Sequence, residues 1–298
     1  MRLANEWKEY SIIATGFGEK LEDWNGVTLL RPDPQAIWPA RFALDSFKGL
    51  SAVYTRSASG GGAWQAKGKF AAEWTISYKD LTFSIKPMGF KHTGLFPEQA
   101  ANWDAMRGLI SKEKLKRDGQ IKALNLFAYT GGATVAIAKE GAFVTHVDAA
   151  KGMVERAKLN CSLSNIPQNA VRWIIDDCKK FLQREKKRGQ TYDAIIMDPP
   201  SYGRGPDGSV FKLENCLFEL VTLAADVLSD NPIFFLLNSY TTGLGATVMQ
   251  NIITLALKGR GGTVDSYELA LPTKEENIIL PCGNCAFWQK GVQAQENT

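Results

Sequence analysis

The sequence predicts an α/β fold, in which a mostly parallel sheet is covered by helices on both faces and is preceded by a small β-rich domain. Two observations support this prediction. From about residue 120 onward, short apolar runs alternate with helix-like stretches, which is typical of consecutive βαβ units. Three of the apolar runs end in acidic residues, at Asp148, Asp176-Asp177 and Asp198. Because the carboxyl ends of parallel strands meet at one edge of a sheet, these acids should lie side by side.

Each element of the α/β part follows from its own pattern. Strands are predicted where short apolar runs occur, at residues 123–127, 143–147, 171–175, 194–197, 233–237, 266–271 and 286–290. Helices are predicted between the strands, at residues 132–140, 151–164, 178–187, 213–228 and 247–257. Gly141 suits the end of the first helix. A Gly-rich loop is expected before the helix that begins at Leu213.

The first part of the chain has a different character, so we divide the sequence into a β-rich domain at residues 1–78 and an α/β domain at residues 79–298. Five of the eight tryptophans lie in the first domain, and turn residues recur there between short strands such as residues 27–30 and 74–77. The tryptophans have two interpretations. They either fill the core of the small domain or offer flat surfaces on which nucleic-acid bases stack.

Composition indicates a soluble globular protein, since 45% of the residues are hydrophobic and 22% are charged. No apolar run approaches the roughly 18–20 residues that span a bilayer, and the N-terminus lacks the apolar core of a signal peptide. We therefore expect a cytoplasmic protein without a membrane partner. The net charge of +4 permits a polyanionic partner without requiring one. Two basic clusters, residues 112–117 and 179–188, are either solvated helix faces or phosphate contacts at the rim of a site.

The five cysteines are expected to be reduced thiols, because an odd number in a chain without a leader argues against a disulfide framework. Cys282 and Cys285 form a single CxxC. A zinc site would need a second pair or histidine partners, and the chain has only His92 and His146. The sequence therefore predicts no metal, and a tight Pro-Cys-Gly turn before the last strand is the structural interpretation of the CxxC. The oligomeric state is left open.

The stretch from Tyr192 to Tyr202 carries the most specific signal in the chain. Its apolar run is long enough for a buried parallel strand, which an acid and two prolines then end. Asp198 should therefore project into a site beyond the carboxyl end of the strand, with Pro199 and Pro200 as a stiff wall. An Asp-Pro-Pro followed closely by an aromatic residue is a common ending of the fourth strand in nucleic-acid methyltransferases that use S-adenosylmethionine.

The segment from Asn125 to Thr134 occupies the place of a nucleotide-binding loop after a first strand. Glycines 131 and 132 would open the next helix, whose N-terminus suits a bound ligand. The GxGxxG fingerprint is absent, because Phe127 and Tyr129 stand where its earlier glycines would be. As a bare pattern, a helix that starts with paired glycines is common.

Asp148 follows this loop at the end of the second strand, where an acid commonly bonds a ribose hydroxyl. An ordinary solvent-facing turn is the other interpretation of this acid. Asp177 or its neighbour Asp176 is expected to accept a hydrogen bond from an adenine amino group. We favour Asp177, since the small residue Cys178 follows it and leaves room for the base.

Taken together, these motifs resemble those of the ribosomal large-subunit methyltransferase family, which includes the cytosine carbon-5 enzymes of 23S rRNA. The most specific matches are Lys91-His92-Thr93-Gly94-Leu95-Phe96-Pro97-Glu98-Gln99 and the Phe-x-Tyr-Thr-Gly-Gly of the loop. Asp148, Asp176-Asp177 and Asp198-Pro199-Pro200 match as well. The resemblance covers about residues 85–290.

The resemblance implies a class I methyltransferase fold, a Rossmann-like seven-stranded sheet with an antiparallel last strand. It also implies S-adenosylmethionine as cofactor and RNA as substrate. The segment from Thr93 to Gln99 would then pass over the methionine end of the cofactor. The expected cofactor-binding residues are Thr93, Gly94, Phe96, Gln99, Phe127, Ala128, Tyr129, Thr130, Gly131, Asp148, Ala149, Met153, Asp176, Asp177, Cys178 and Asp198. The expected catalytic residues are Asp198, Pro199, Pro200 and Tyr202.

Two departures from the family pattern bear on the chemistry. Many members carry an N-terminal PUA-type RNA-binding domain, and residues 1–78 show no recognisable one. The cytosine carbon-5 members place a nucleophilic cysteine in a Ser-Cys-Ser segment after the fifth strand, where this chain has Asn238-Ser239-Tyr240. Carbon-5 methylation needs a thiolate, so direct transfer to a nitrogen or oxygen atom is expected instead. Amino-methylating enzymes have the aromatic directly after the second proline, whereas Ser201 intervenes here.

Four functions remain open on the sequence alone. The first is a methyltransferase acting on RNA, with ribosomal RNA as the expected substrate. The second is the same catalytic fold acting on a small molecule or a protein, which the modest net charge favours. The third is a non-catalytic RNA-binding relative, against which the three strand-end acids argue. The fourth is a nicotinamide oxidoreductase, against which the missing GxGxxG and the Asp-Pro-Pro argue.

Overall fold

The computed structural model describes residues 1–57, 61–204 and 210–291. Its internal contacts divide the chain into two compact units. We call Met1–Asn102, Lys158–Asn165 and Leu269–Cys282 the β-rich unit. We call Trp103–Ala157, Ile166–Glu268 and Gly283–Thr298 the α/β unit. The boundary near residue 78 stays a prediction from the sequence.

The β-rich unit is built on short strands that follow one another closely. They are β1 (Arg2–Leu3), β2 (Tyr10–Gly16), β3 (Glu19–Trp24), β4 (Val27–Pro32), β5 (Leu50–Arg56), β6 (Gly62–Ala66), β7 (Trp74–Tyr78) and β8 (Leu81–Ile85). Strands β2 to β6 form one sheet in chain order, antiparallel except for the parallel β4–β5 pair. Strands β7 and β8 form a separate antiparallel hairpin.

A buried ion pair lies inside the β-rich unit. The guanidinium of Arg31 on β4 donates to both carboxylate oxygens of Glu22 on β3, at 2.6 and 2.7 Å. The hydroxyl of Tyr10 donates to the same carboxylate at 2.8 Å. Burial would raise the pKa of Glu22, but Arg31 and Lys20 lower it to about 2. The carboxylate is therefore charged and fully bonded, which a buried charge requires.

The tryptophans of the β-rich unit mostly serve its own packing. The indole N–H of Trp7 donates to the carbonyl oxygen of Pro97 at 2.9 Å, and that of Trp64 donates to Met88 at 2.9 Å. Trp24 is fully buried. These contacts favour the structural interpretation of the tryptophans over base stacking. The indole N–H groups of Trp7 and Trp64 already bond within the unit, and the buried ring of Trp24 is inaccessible to a base.

The α/β unit alternates strands and helices as the sequence predicts. Its first half contains α1 (Ala100–Lys114), β9 (Lys122–Leu126), α2 (Gly132–Lys139), β10 (Phe143–Asp148), α3 (Lys151–Leu163), β11 (Val171–Ile175), α4 (Cys178–Lys187) and β12 (Ala194–Met197). Its second half contains β13 (Tyr202–Arg204), β14 (Val210–Lys212), α5 (Leu213–Ala225), β15 (Phe234–Ser239), α6 (Ala246–Ala256), β16 (Thr263–Pro272) and β17 (Ile279–Gln289). Two helices and two strands extend into segments grouped with the β-rich unit.

The main sheet has the order β1-β16-β17-β15-β12-β9-β10-β11. Strands β9, β10, β11, β12 and β15 are parallel, and β17 runs antiparallel to β15. The predicted seven-stranded sheet with an antiparallel last strand is therefore confirmed, and the two-residue β1 adds an eighth strand. In the part of the chain that the structure describes, no helix is long and apolar enough to cross a membrane.

One local expectation is tested only in part, and another is wrong. Strands β13 and β14 pair antiparallel on either side of the expected Gly-rich loop, with Tyr202 opposite Lys212, and residues 205–209 of that loop lie outside the described residues. The Pro-Cys-Gly sequence at residues 281–283 is not a turn, because it lies inside β17. A Cβ atom on Gly283 would lie 3.0 Å from the carbonyl oxygen of Ser239, so this glycine allows a close approach inside the sheet rather than a turn. The sequence pattern alone does not separate these two uses of a glycine.

Candidate active site

The acids predicted at the strand ends meet at one edge of the sheet. Asp148 ends β10, Asp176 follows β11 and Asp198 follows β12. Strands β12, β9, β10 and β11 are neighbours in this order and are parallel, so their carboxyl ends face the same way. In parallel α/β sheets this edge is where ligands bind.

The loop after β9 has an unusual backbone at the two positions that lack the expected glycines. Phe127 and Tyr129 have φ angles of 55° and 50°, in the left-handed region that glycine normally occupies. Such a conformation costs a bulky residue about 1–2 kcal/mol. The sequence therefore departs from the glycine fingerprint while the backbone keeps left-handed turns at those positions.

Neighbouring strand ends hold this loop. The N–H of Phe127 donates to the Cys178 sulfur at 3.3 Å, and the N–H of Ala128 donates to the Val147 carbonyl at 3.1 Å. The N–H of Tyr129 donates to the Asp148 carboxylate at 2.8 Å. Strained backbone persists where its surroundings over-determine it, and these bonds from β10 and α4 do so.

Gly131 and Gly132 allow close packing where the loop enters α2. Gly131 has a φ of 81°, and a Cβ atom on it would lie 2.8 Å from the Cβ of Ala157. A Cβ atom on Gly132 would lie 2.7 Å from the ring of Trp103. Both glycines are thus required by packing within the α/β unit, which is one of the roles that glycines have in nucleotide-binding turns.

The Asp148 carboxylate is fixed by two backbone groups. One oxygen accepts from the N–H of Tyr129 and the other accepts from the N–H of Ala150, both at 2.8 Å. Each oxygen has a second lone pair, so the carboxylate keeps the capacity to accept two ribose hydroxyls. Ala149 is exposed, and Met153 is half-buried on the first turn of α3.

Asp176 and Asp177 have separate structural roles. Asp176 forms an ion pair with Arg184. Asp177 is the N-cap of α4, since its carboxylate accepts from the N–H of Lys180 at 2.8 Å. The adenine contact expected of Asp177 therefore has to coexist with a capping bond and stays a prediction. Burial raises the pKa of the Cys178 thiol well above its ordinary value, so this residue is a neutral neighbour of the loop.

Asp198 is half-buried, Pro199 is buried and Pro200 is exposed. The carboxylate of Asp198 accepts from the side-chain amide of Asn238 at 2.7 Å. Asn238 lies at the carboxyl end of β15, which pairs with β12. Tyr202 is 50% exposed at the start of β13. The five residues from Asp198 to Tyr202 thus contain a carboxylate, a rigid proline pair and an accessible aromatic ring.

The segment from Thr93 to Gln99 belongs to the β-rich unit, so its role toward the cofactor stays a prediction. Gly94 has a φ of 95°, and Phe96 immediately precedes a single 3-10 turn. The side chain of Gln99 accepts from Asn102 at 2.8 Å. The hydroxyl of Thr93 is fully buried, and none of the residues that the structure describes forms a hydrogen bond with it. An orphaned buried hydroxyl fits a polar group supplied by a ligand.

Sequence reasoning missed a buried polar network beneath the loop. Asn125 on β9 donates to the hydroxyl of Thr134 on α2 at 2.9 Å, and this hydroxyl lies 2.9 Å from Nδ1 of His146 on β10. All three side chains are buried. Burial lowers the pKa of His146 to about 3, so its imidazole is neutral. The signal in the sequence was polar residues inside otherwise apolar strand and helix patterns.

The two basic clusters reach different parts of the α/β unit. Arg117 contacts the carboxylate of Asp193 at 3.4 Å, at the amino end of β12 and thus at the edge of the sheet opposite to the acids. Within the second cluster, Lys179 pairs with Glu219 at 2.6 Å and Lys186 pairs with Asp226 at 2.7 Å. Arg117 therefore lies away from the site, whereas Lys179 directly follows Cys178 at the start of α4, so phosphate contact by the second cluster stays a prediction. Among the described residues, no group of three or more metal-binding side chains comes together.

Comparison with known proteins gives consistent results. A family model described as S-adenosylmethionine-dependent methyltransferase matches residues 44–223. The structure of an S-adenosylmethionine-dependent methyltransferase from Agrobacterium tumefaciens is similar over most of both molecules. Its TM-score is 0.88 at 32% sequence identity, and the match covers 96% of this chain and 91% of that one.

Two curated relatives are ribosomal RNA large subunit methyltransferases. One, named K/L, is from Desulfotalea psychrophila and is 30% identical over 172 residues, or 57% of this chain and 22% of the relative. The other, named I, is from Tolumonas auensis and is 31% identical over 123 residues, or 41% of this chain and 29% of the relative. This chain thus spans less than a third of the length of either one.

Proposed function

The chain belongs to the S-adenosylmethionine-dependent methyltransferase family, and we propose that it methylates a base of RNA, with ribosomal RNA as the substrate. Its cofactor is S-adenosylmethionine, as the motifs predict. The similarity to two ribosomal RNA methyltransferases supports the RNA substrate. A ribosomal substrate also agrees with the cytoplasmic location expected from the sequence.

The residues of the carboxyl edge fit this cofactor. Asp148 would hold the ribose, and the left-handed loop from Phe127 to Gly131 would lie against the cofactor. Asp177 or Asp176 would accept a hydrogen bond from the adenine amino group. For the segment from Thr93 to Gln99, which belongs to the β-rich unit, a cofactor role rests on the family resemblance. When bound, S-adenosylmethionine supplies an activated methyl group.

The acceptor side rests on Asp198. Its carboxylate lies next to the loop after β9, because β12 and β9 are paired neighbours. Asp198 would accept a hydrogen bond from an amine of the acceptor base and so orient its lone pair. The backbone of Pro199 and Pro200 would fix the edge of that base, and the exposed ring of Tyr202 would stack on it. This juxtaposition of a held carboxylate and an accessible aromatic ring carries the proposal.

Cysteine-dependent chemistry is disfavoured by the thiols themselves. Among the described residues no two of the five cysteines form a disulfide, and three of the five are buried. Burial raises the pKa of the Cys161 thiol to about 12, and it also raises the pKa of Cys216. A thiol with a raised pKa is a poor nucleophile at neutral pH. Direct transfer to a nucleophilic atom of the base is therefore the proposed reaction.

The test is methyl transfer from radiolabelled S-adenosylmethionine into separate RNA, protein and small-molecule fractions of a strain that lacks this protein. Label in one nucleoside of the large ribosomal RNA is the expected result, and mass analysis of that nucleoside names the acceptor atom. Label in the protein or small-molecule fraction alone would overturn the RNA proposal in favour of the same fold acting on another substrate. Cofactor binding without label in any fraction would indicate a non-catalytic relative.

A further inference from the structure

A short chain of polar side chains runs behind Asp198 across three strands of the sheet. The amide nitrogen of Asn238 donates to the Asp198 carboxylate at 2.7 Å. The thiol of Cys285 donates to the amide oxygen of Asn238 at 2.8 Å. Asn238 on β15 and Cys285 on β17 are direct partners in the antiparallel pairing. The proposed function does not use either residue.

This chain of hydrogen bonds is deeply buried among apolar residues. Asn238 is 1% exposed and Cys285 is fully buried. Their strand neighbours Leu237 and Ala286 are fully buried as well. Burying a polar side chain is unfavourable unless its hydrogen bonds are made. An apolar residue at position 238 would fill the same place without that cost, so the amide requires a reason beyond packing.

The two bonds together specify how the Asn238 amide is turned. A carboxylate only accepts hydrogen bonds, so the amide must present its nitrogen to Asp198. The thiol is a donor toward the amide oxygen, which satisfies the other end of the group. With both ends engaged, the amide has one orientation and the Asp198 carboxylate has a fixed donor on one of its oxygens.

We propose that Asn238 is a positioning residue that aims the Asp198 carboxylate, and that the Cys285 thiol holds Asn238 in the required orientation. This inference rests on the proposed role of Asp198 toward the acceptor base. Cys285 acts through Asn238, since its thiol donates to the amide oxygen of that residue. The arrangement supplies the precise placement of a reacting group on which transfer rates depend.

The test is a set of variants of the full chain, measured for kcat and for cofactor dissociation constant. Asn238→Ala is expected to lower kcat by about 10-fold or more with cofactor affinity nearly constant, because the acceptor side alone is disturbed. Cys285→Ala is expected to lower kcat by about 3–10-fold through the loosened amide. Cys285→Ser restores most of this loss, because its hydroxyl donates the same bond. Cys161→Ala removes another buried thiol and controls for the general effect of such a loss.

The double variant Asn238→Ala/Cys285→Ala separates positioning from packing. If Cys285 acts through Asn238, the double variant has the kcat of Asn238→Ala, whereas independent effects multiply. Equal losses in Cys285→Ser and Cys285→Ala, or multiplied losses in the double variant, would overturn the inference. A parallel loss of cofactor affinity would do so as well.

Raman spectroscopy tests the hydrogen bond between Cys285 and Asn238 on the protein alone, without substrate. The S–H stretching band in the Raman spectrum reports the hydrogen bond of a thiol, and Asn238→Ala should move the Cys285 band toward that of an unbonded thiol. An unmoved band would overturn the hydrogen-bond chain itself. Kinetics are measured on whichever fraction the wild-type protein labels. Absence of transfer by the wild type refutes the proposed function, whereas an active wild type with an equally active Asn238→Ala refutes only the positioning role.

Discussion

The two halves of the site are held in different ways. On the cofactor side, the loop from Phe127 to Gly131 is fixed by its own backbone N–H groups, which donate to Cys178, Val147 and Asp148. On the acceptor side, Asp198 is fixed by a side-chain amide at 2.7 Å. The first arrangement depends on backbone conformation, and the second depends on the identity of single side chains.

This difference explains how the two halves depart from expected motifs. A backbone-held loop can lose the first glycines of GxGxxG, because Phe127 and Tyr129 adopt the left-handed conformation at φ angles of 55° and 50°. A side chain-held carboxylate has no such freedom. Asn238 is the first residue of the segment that stands where the family resemblance would place Ser-Cys-Ser, and its side-chain amide is a partner for Asp198. We therefore expect cofactor-side effects to appear in binding and acceptor-side effects to appear in turnover.

The largest expected effect is on the acceptor side. Asp198→Ala should lower kcat by about 100-fold or more, in the range expected for loss of a group that handles a proton or lone pair. Cofactor affinity should stay within about threefold, because the loop after β9 is held by other strands. Single-turnover methyl transfer and calorimetric binding measure the two quantities, with Asp198→Asn as the uncharged control of equal size. Full activity of Asp198→Ala would remove its catalytic assignment.

The next largest effect is expected on the free energy of unfolding, from a substitution that overpacks the start of α2. Gly132→Ala places a Cβ atom 2.7 Å from the ring of Trp103, which is 2% exposed and cannot move aside. We expect a loss of about 2 kcal/mol in the free energy of unfolding, as for other overpacked cores. Denaturant titration measures it.

The matched control for that glycine is Gly108, which lies inside α1. Within residues 1–57, 61–204 and 210–291, no atom lies within 4 Å of the position that a Cβ atom on Gly108 would take. Gly108→Ala should therefore raise stability by about 0.5–1 kcal/mol through helix propensity. Equal effects of the two substitutions would show that the contact with Trp103 does not constrain the loop.

Removal of the ribose acceptor should weaken binding more modestly. Asp148→Ala removes the carboxylate that accepts from Tyr129 and Ala150, and it also removes the proposed bond to the ribose. Cofactor affinity should fall by more than about 10-fold, or 1.4 kcal/mol. Isothermal titration calorimetry measures the change, and Asp230→Ala, an exposed acid before β15, serves as control. Unchanged affinity would eliminate the ribose role of Asp148.

The effect that is smallest at neutral pH concerns acid sensitivity. Burial lowers the pKa of His146 to about 3 and that of His92 to about 4, whereas an unfolded histidine titrates near 6.5. Below about pH 6.5 the two histidines are therefore protonated in the unfolded state but stay neutral in the folded state. The free energy of unfolding falls by up to about 1.4 kcal/mol per pH unit for each histidine. The stability is fully present above pH 6.5. It is lost progressively as pH falls toward about 4 and then 3.

Replacing His146 tests this contribution. His146→Gln should reduce the slope of unfolding free energy against pH between about pH 6 and about pH 4.5, by at most about 1.4 kcal/mol per unit. Urea titrations at several pH values measure it. An unaltered slope in this variant would show that His146 is not held neutral beneath the loop.

Much of the sheet and its edge could be predicted from the sequence, because hydrophobic runs that end in acids depend only on local pattern. The strands that end near Asp148, Asp176 and Asp198 were placed in this way, and the antiparallel β17 followed from the family resemblance. The acid-terminated strands and β17 are each encoded in a short stretch of chain, so the sequence alone could predict them.

Other features depend on partners that are distant in sequence. Cys285 contacts Asn238 because β17 pairs with β15, and the local sequence pattern does not predict that pairing. The hairpin after Pro200 was missed because glycine and proline there suggested an irregular loop. The two interpretations of the basic cluster around Arg117 stayed open in the sequence, because composition does not tell which edge of a sheet a helix end reaches.

The most direct test of the central claim compares ribosomal RNA from three strains. One lacks this protein, one carries the wild-type chain and one carries Asp198→Ala at an equal protein level. If this chain methylates ribosomal RNA through Asp198, one methylated nucleoside of the large ribosomal RNA disappears in the deletion strain. It returns with the wild-type chain and stays absent with Asp198→Ala. An unchanged nucleoside profile in the deletion strain, or full restoration by Asp198→Ala, would contradict this claim.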